Sequence, residues 1–368
     1  MLLAFGMLNA GLGPALPYLR RAEHVSYLAS VLHQVAFAVG GGMAGLLAAR
    51  ARHMPSRSLA IRVGLLGAAA AWLALGYGNR LEVTVCAAFA VSLLGTTALI
   101  RVWAVLADQH RAHRAVAMSE GEVAVSLGGV VSPLLVGVAA GTALGWRGAF
   151  VLGAAAVVVA VTATAFVRLP EPRFDPARPA AGGRERGIPA TLVVVFAIVA
   201  LEFALAFWLA SYLGDSVGLQ RRTAAELVSV LYLANVAGRL LASRLAHRVP
   251  AELLLGSALA VALGGLPVLL AATGAPQAIA GLAITGIGIG ATFPLASALH
   301  VAASPGGAGG AGGADGALGQ VLAAAAVGQV VGPVVVATVA QGFGLRAGLT
   351  TLLGFTLTAA GALQWRRR

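Results

Sequence analysis

Four ionisable residues, Arg101, Glu120, Glu122 and Glu202, fall inside long apolar stretches. A charge in hydrocarbon is costly, so such residues usually face a bundle interior or a water-filled cavity. Arg101 lies roughly 10 Å inside its helix, counting about 1.5 Å per residue from the nearer end. Glu120 lies about as deep in the next helix, which runs back the other way, so the two could pair. Glu122 is one step deeper, about 200° round the helix from Glu120 at 3.6 residues per turn. It shares a stripe with Gly129 and Pro133. Glu202 sits near the middle of its stretch, with Trp208 and Tyr212 following it. A desolvated midplane carboxylate can bind and release a proton, which makes Glu202 the leading coupling candidate. Arg101 reads either as a coupling or substrate-anion group, or as a structural partner of Glu120 or Asp108. A helix–helix hydrogen bond is the structural alternative for Glu202, and one of Glu120 and Glu122 is expected to serve structure.

Asn9, His33, Gln34 and Asn235 are weaker candidates for substrate contact, and Trp208 could line an apolar cavity beside Trp103, Phe203 and Phe207. Polar groups in membrane helices often do no more than hydrogen-bond across a packed contact, worth about 1 kcal/mol.

The elements that position these residues follow from composition. Of 368 residues, 59% are apolar and 10% charged, and the mean hydropathy is +0.89. A soluble domain carries about 25% charged residues. A soluble enzyme, a nucleic-acid binder and a disordered chain are therefore disfavoured. A membrane helix needs about 20 mostly apolar residues. Windows of that kind fall at 1–18, 26–49, 59–78, 82–107, 115–140, 147–167, 189–213, 224–245, 251–273, 276–303, 317–341 and 344–363. The first is the weakest, beginning at Met1 with no polar tail before it, as if clipped at its start. It lacks the basic flank and cleavage site of a signal peptide and contains Pro14 and Pro17, so a short membrane helix is expected. The periodicity is helical, and only helices or closed barrels satisfy the backbone inside lipid.

The formal charge is +12, and every basic position is arginine. Taking alternate connections, sixteen arginines fall on one side and seven on the other, with Arg101 and Arg239 left inside helices. The richer side marks the cytoplasm, which places both termini there. The net charge is thus mostly an orientation signal, and no clustered basic surface suggests nucleic acid. The single cysteine excludes an intrachain disulfide and a cysteine metal cluster.

The Pro-, Gly- and Arg-rich stretch 168–188 reads as a cytoplasmic linker between two six-helix halves. The Gly-rich tract 304–316 reads as a flexible loop. The halves echo each other. Gly128-Gly-Val-Val-Ser132-Pro133 returns as Gly328-Gln-Val-Val-Gly332-Pro333, and Leu46-Leu-Ala-Ala-Arg50 returns as Leu240-Leu-Ala-Ser-Arg244. Internal duplication of this kind is a mark of secondary transporters.

With these features the chain resembles the major facilitator superfamily over essentially its whole length. The resemblance rests on the six-plus-six count, the central linker and the motif positions. Gly45 followed by Arg50 resembles the family's loop motif between the second and third helices, without its acidic residue. Gly238-Arg239 followed by Arg244 is a partial second copy. The resemblance implies that these basic residues help lock neighbouring helix ends. Gly128-x-x-x-Ser132-Pro133-x-x-Val136-Gly137 resembles the fifth-helix motif of the proton-coupled efflux antiporters, with Ser and Val replacing two glycines. Gly145-Trp146-Arg147 is also typical of the family, and Arg101 resembles the embedded basic residue of the antiporter branch. The Gly/Pro pairs at 128–133 and 328–333 are expected to allow close approach and bending.

The expected fold is thus all-α, twelve transmembrane helices in two six-helix bundles, 1–168 and 189–368, joined by the linker 169–188. The expected function is secondary transport by alternating access, with proton-coupled efflux of a small amphipathic or hydrophobic solute from a monomer in the plasma (inner) membrane. The alternatives are a symporter or facilitator importing a nutrient and a non-transporting membrane sensor. No cofactor, metal or nucleic-acid partner is expected, and no enzyme. No His/Glu metal spacing occurs within a span, and without lysine there is no phosphate-binding loop.

Overall fold

The computed structural model describes residues 1–50, 56–109, 114–167, 189–303 and 313–366. These form helices α1 (Leu2–Ala10), α2 (Leu12–Ala22), α3 (Tyr27–Arg50), α4 (Arg57–Tyr77), α5 (Leu81–Gln109), α6 (Arg114–Ala140), α7 (Gly148–Ala163), α8 (Ala190–Asp215), α9 (Arg221–Leu245), α10 (Ala251–Leu270), α11 (Ala275–Gly290), α12 (Thr292–Ala303), α13 (Gly313–Phe343) and α14 (Leu345–Arg366). The linker and most of the Gly-rich tract lie outside the described residues.

Among the described residues, nine helices are long and apolar enough to cross a membrane, counting α11 with α12 as one, or ten if the bent pair α1–α2 is also one span. Of the twelve expected spans, α7 and α14 fall short of that measure. Helix α7 has only 16 residues, about 24 Å of helix against a hydrocarbon core of about 30 Å. In α14, Thr350, Thr351, Thr356, Thr358, Gln364 and the terminal arginines dilute the apolar content.

Two expected single helices are broken. The first bends by 42° between α1 and α2. Pro14 lacks the N–H that would meet the Ala10 carbonyl, which weakens the helix at that point. The tenth breaks at Ala291, between α11 and α12. Here Pro294 leaves the Gly290 carbonyl without its helical donor, and the Arg239 Nε supplies one at 2.9 Å.

The chain divides into two compact units. The first comprises Met1–Arg173, Leu209–Gly214 and Leu219–Ser229, and the second Phe174–Trp208, Asp215–Gly218 and Val230–Arg368. In the first, α1 packs on α6, α3 and α4 pack on α5, and α4 packs on α7. Trp72 stacks on Phe150 at 4.3 Å between centroids, at the α4–α7 contact. In the second, α10 packs on α11 and α13 on α14. Its core joins Val195 and Ile198 of α8 to Leu255 and Leu259 of α10 and Val321 of α13. Large apolar side chains such as Leu46, Leu59, Val159, Leu233 and Leu322 point outward, as lipid-facing residues do.

Each unit uses the same close contact. A Cβ on Gly128 would overlap the backbone of Leu3 and Met7, and one on Gly328 would overlap the backbone of Phe196 and Ala200. The duplicated glycines therefore let the fifth long helix of each half touch the first. Each unit also repeats a turn. Gly145 and Gly344 have φ of 61° and 84°, a region that suits glycine. Each is followed two residues later by an arginine that caps carbonyls: Arg147 Nε donates to Gly76 O at 3.0 Å, and Arg346 donates to Ala272 O at 3.0 Å.

Candidate functional site

Helices α8, α9 and α11 bring the polar residues of the second unit together. A Cβ on Gly238 would overlap the Ile287 carbonyl, and one on Gly290 would overlap the Asn235 backbone. That close fit puts one face of α9 against α11 and aims Tyr232, Asn235 and Arg239 from successive turns of one stripe. Glu202 projects from α8 toward this stripe.

The Asn235 amide donates to Glu202 Oε1 at 3.3 Å. Turned through 180°, the same amide donates to Leu231 O at 3.2 Å and Gly286 O at 2.9 Å. Its oxygen then faces Glu202, a contact satisfied only when the carboxyl carries a proton. The second orientation makes more hydrogen bonds, and the first suits an ionised Glu202. Arg239 and Tyr232 lie within electrostatic reach of the same carboxylate. Arg239 also holds the broken end of α11 through Gly290 O. The arrangement can bind and release a proton, and it ties both states to one amide and one helix break.

Asn235, a candidate substrate contact, and Arg239, a candidate helix-locking residue, both lie beside Glu202. Tyr232 was missed. Its signal was the spacing of three and seven residues before Asn235 and Arg239. Trp208 is fully buried and donates from Nε1 to Pro333 O at 3.0 Å, packing edge-on against Phe207. It braces α8 against the proline of α13.

The other candidates lie elsewhere. Arg101 is half-buried, whereas Glu120 and Glu122 are exposed on α6, on either side of Gly121, which packs against the Trp103 ring. Asn9 is exposed. His33 is fully buried with both ring nitrogens engaged, and Gln34 is buried with its Nε2 lacking a partner. Gly45 is exposed and, among the described residues, has nothing close to its Cβ position, unlike Gly238. Arg244 is exposed, Arg50 ends α3, and its side chain lies outside the described residues. Pro133 and Pro333 lie inside α6 and α13.

The family model for the Major Facilitator Superfamily matches residues 1–323. The chain belongs to the major facilitator superfamily. It is therefore a multi-span, all-α membrane protein of a family of secondary transporters that work by alternating access, not an enzyme. No curated protein matches it. Among solved structures, a bacterial homologue of the human lysosomal transporter Spinster, inward-facing and occupied, superposes with TM-score 0.75 at 16% identity, over 100% of this chain and 95% of that one. The nucleoside transporter NupG gives TM-score 0.74 at 12% identity, over 100% and 97%. The human organic anion transporter TETRAN gives 0.66 at 16%, over 99% and 97%. At these identities the likeness extends to the superfamily fold.

Proposed function

We propose that this superfamily member is a proton-coupled antiporter that expels a small amphipathic or hydrophobic solute across the plasma membrane. Glu202 is the coupling residue. The observation that carries this reading is the Glu202–Asn235 contact, whose two amide orientations match the two protonation states of the carboxyl. Solute and proton compete for that site, and Arg239 links its charge state to the α11 break. Arg101, Glu120 and Glu122 remain secondary coupling candidates, and Asn9 a substrate contact. The cargo preference follows from the scarcity of fixed charges in the spans. In this reading α7 and α14 also cross the membrane, as a short and a less apolar span. That gives twelve helices in two bundles, 1–168 and 189–368, with the linker 169–188 and both termini in the cytoplasm. The monomer is the working unit.

A pH jump across proteoliposomes tests it. Solute should move against the imposed proton gradient in the wild type, and Glu202→Gln should lose at least about tenfold of gradient-driven flux, a loss of about 1.4 kcal/mol of coupling, while still exchanging solute. Gradient-independent transport by the wild type, or unchanged coupling in the variant, would sink the role. Proton and solute moving in the same direction would identify a symporter.

A further inference from the structure

A second buried acid–base group lies in the first unit, and the Glu202 reading makes no use of it. Helix α2 closes with Val25 N donating to Arg20 O at 3.1 Å and His24 in the left-handed region at φ 54°. This six-to-one closure holds Glu23 at the helix end, facing α3 and α5. The side chains of Glu23 and His33 are both 0% exposed. Thr84 of α5 joins them: its Oγ1 lies 2.5 Å from Glu23 Oε1 and 2.9 Å from His33 Nε2. His33 Nδ1 lies 2.9 Å from Ser30 O. The second carboxylate oxygen, Oε2, is buried with no hydrogen-bond partner.

Counting hydrogens decides what this chain holds. The Ser30 carbonyl only accepts, so His33 Nδ1 carries a hydrogen. If Glu23 is ionised and His33 neutral, Glu23 Oε1 and His33 Nε2 both need a donor. Thr84 has a single hydroxyl hydrogen, and Arg80 O and Leu81 O compete for it at 3.2 and 3.0 Å. Moving the imidazole hydrogen to Nε2 sets the Nδ1 lone pair against Ser30 O. Every arrangement without a further proton therefore leaves a buried acceptor unmet in addition to Glu23 Oε2, and burying an unmet polar group is costly. One added proton removes the conflict in two ways. A protonated Glu23 donates to Thr84, which donates to His33. Alternatively an imidazolium donates to Thr84, which donates to an ionised Glu23. The two forms interconvert by two short proton shifts, from Glu23 to Thr84 oxygen and from Thr84 to His33, with no net charge moved off the chain.

We infer that Glu23, Thr84 and His33 form a proton-binding site that holds one proton in the folded protein. The buried histidine of the second unit shows the contrast. His300 Nδ1 meets the Thr191 hydroxyl at 2.7 Å and Nε2 meets Gln320 Oε1 at 3.0 Å, a pattern that a neutral imidazole satisfies. At this end of the surrounding elements the other ionisable groups are Tyr18, Arg20, Arg21, His24, Tyr27, Tyr77, Arg80, Glu82 and Cys86. Arg20 stacks over the Tyr27 ring at 3.8 Å. Arg21, His24, Tyr77, Arg80, Glu82 and Cys86 are exposed.

The test needs no transport, so it stands apart from the Glu202 reading. Purified full-length protein in weakly buffered detergent at about pH 8.5, above the ordinary carboxylate and imidazole values, is unfolded with denaturant, and the protons released per molecule are counted. Glu23→Gln and His33→Gln each supply an amide N–H that can donate to Thr84, so neither needs the held proton. Each should release one proton fewer than the wild type, while Thr84→Ser matches it. If one of the two variants fails to fold, the other gives the same reading. Release equal to wild type in a folded Glu23→Gln or His33→Gln overturns the inference, as does loss of that proton by Thr84→Ser.

Discussion

The two units share their scaffold and differ in where they keep charge. Both seat a glycine of the long fifth helix on the backbone of the first, at Gly128 and Gly328. Both turn at a left-handed glycine and cap carbonyls with the arginine two residues on. Yet the second unit gathers Glu202, Asn235 and Arg239 midway along α8 and α9, beside the broken α11–α12 pair. The first keeps α5 continuous over 29 residues. It places its buried acid–base pair at the end where the α2–α3 turn meets α5. Packing contacts constrain the backbone and so survive duplication. Charged groups constrain only their immediate neighbours, so each half could place them differently.

The largest expected effect tests the shared scaffold. Gly128→Leu and Gly328→Leu each push a side chain into a neighbouring backbone that has no rotamer to yield. Both should lose about 3 kcal/mol, at the upper end for overpacking, seen as lower folded yield and an earlier denaturant midpoint. Loss in one alone would break the equivalence of the halves.

Next are the arginine caps. Arg346→Ala leaves the Ala272 and Ser216 carbonyls without their donor, and about 1–2 kcal/mol should go with it. Arg147→Ala should cost somewhat more, because its guanidinium also lies 4.6 Å over the Trp146 ring, a contact worth about 0.5–1 kcal/mol at an exposed site. Thermal unfolding of both variants measures the gap, and equal losses would remove the stacking contribution.

Much of the scaffold was legible, because apolar runs and the Gly/Pro echo are local features. The repeated turn was only half seen. Gly145-Trp146-Arg147 stood out, while Gly344-Leu345-Arg346 passed unnoticed although it lies close to the same offset. The apolar windows at α7 and α14 showed neither how short the one helix is nor how polar the other. The site was legible as separate residues and not as a group. Glu202, Asn235 and Arg239 each stood out, but their meeting depends on how closely α9 and α11 approach. Glu23 was invisible for a plainer reason: it sits just past a helix end, where a charged residue ordinarily meets water, and only the α2 closure turns it inward.

The smallest effect separates two glycines that looked equivalent. Gly45 and Gly238 stand in matching motifs, but a Cβ on Gly238 would overlap the Ile287 carbonyl, whereas among the described residues nothing lies near that position on Gly45. Gly45 lies inside α3, where glycine costs backbone entropy that alanine does not. Gly45→Ala should therefore stabilise the folded protein by about 0.5–1 kcal/mol, against a clear loss for Gly238→Ala. Denaturant midpoints of the two variants give the sign directly. Destabilisation by Gly45→Ala would mean that α3 makes a close contact there in another conformation of the transport cycle, and the first unit would then share the close helix contact that Gly238 makes in the second.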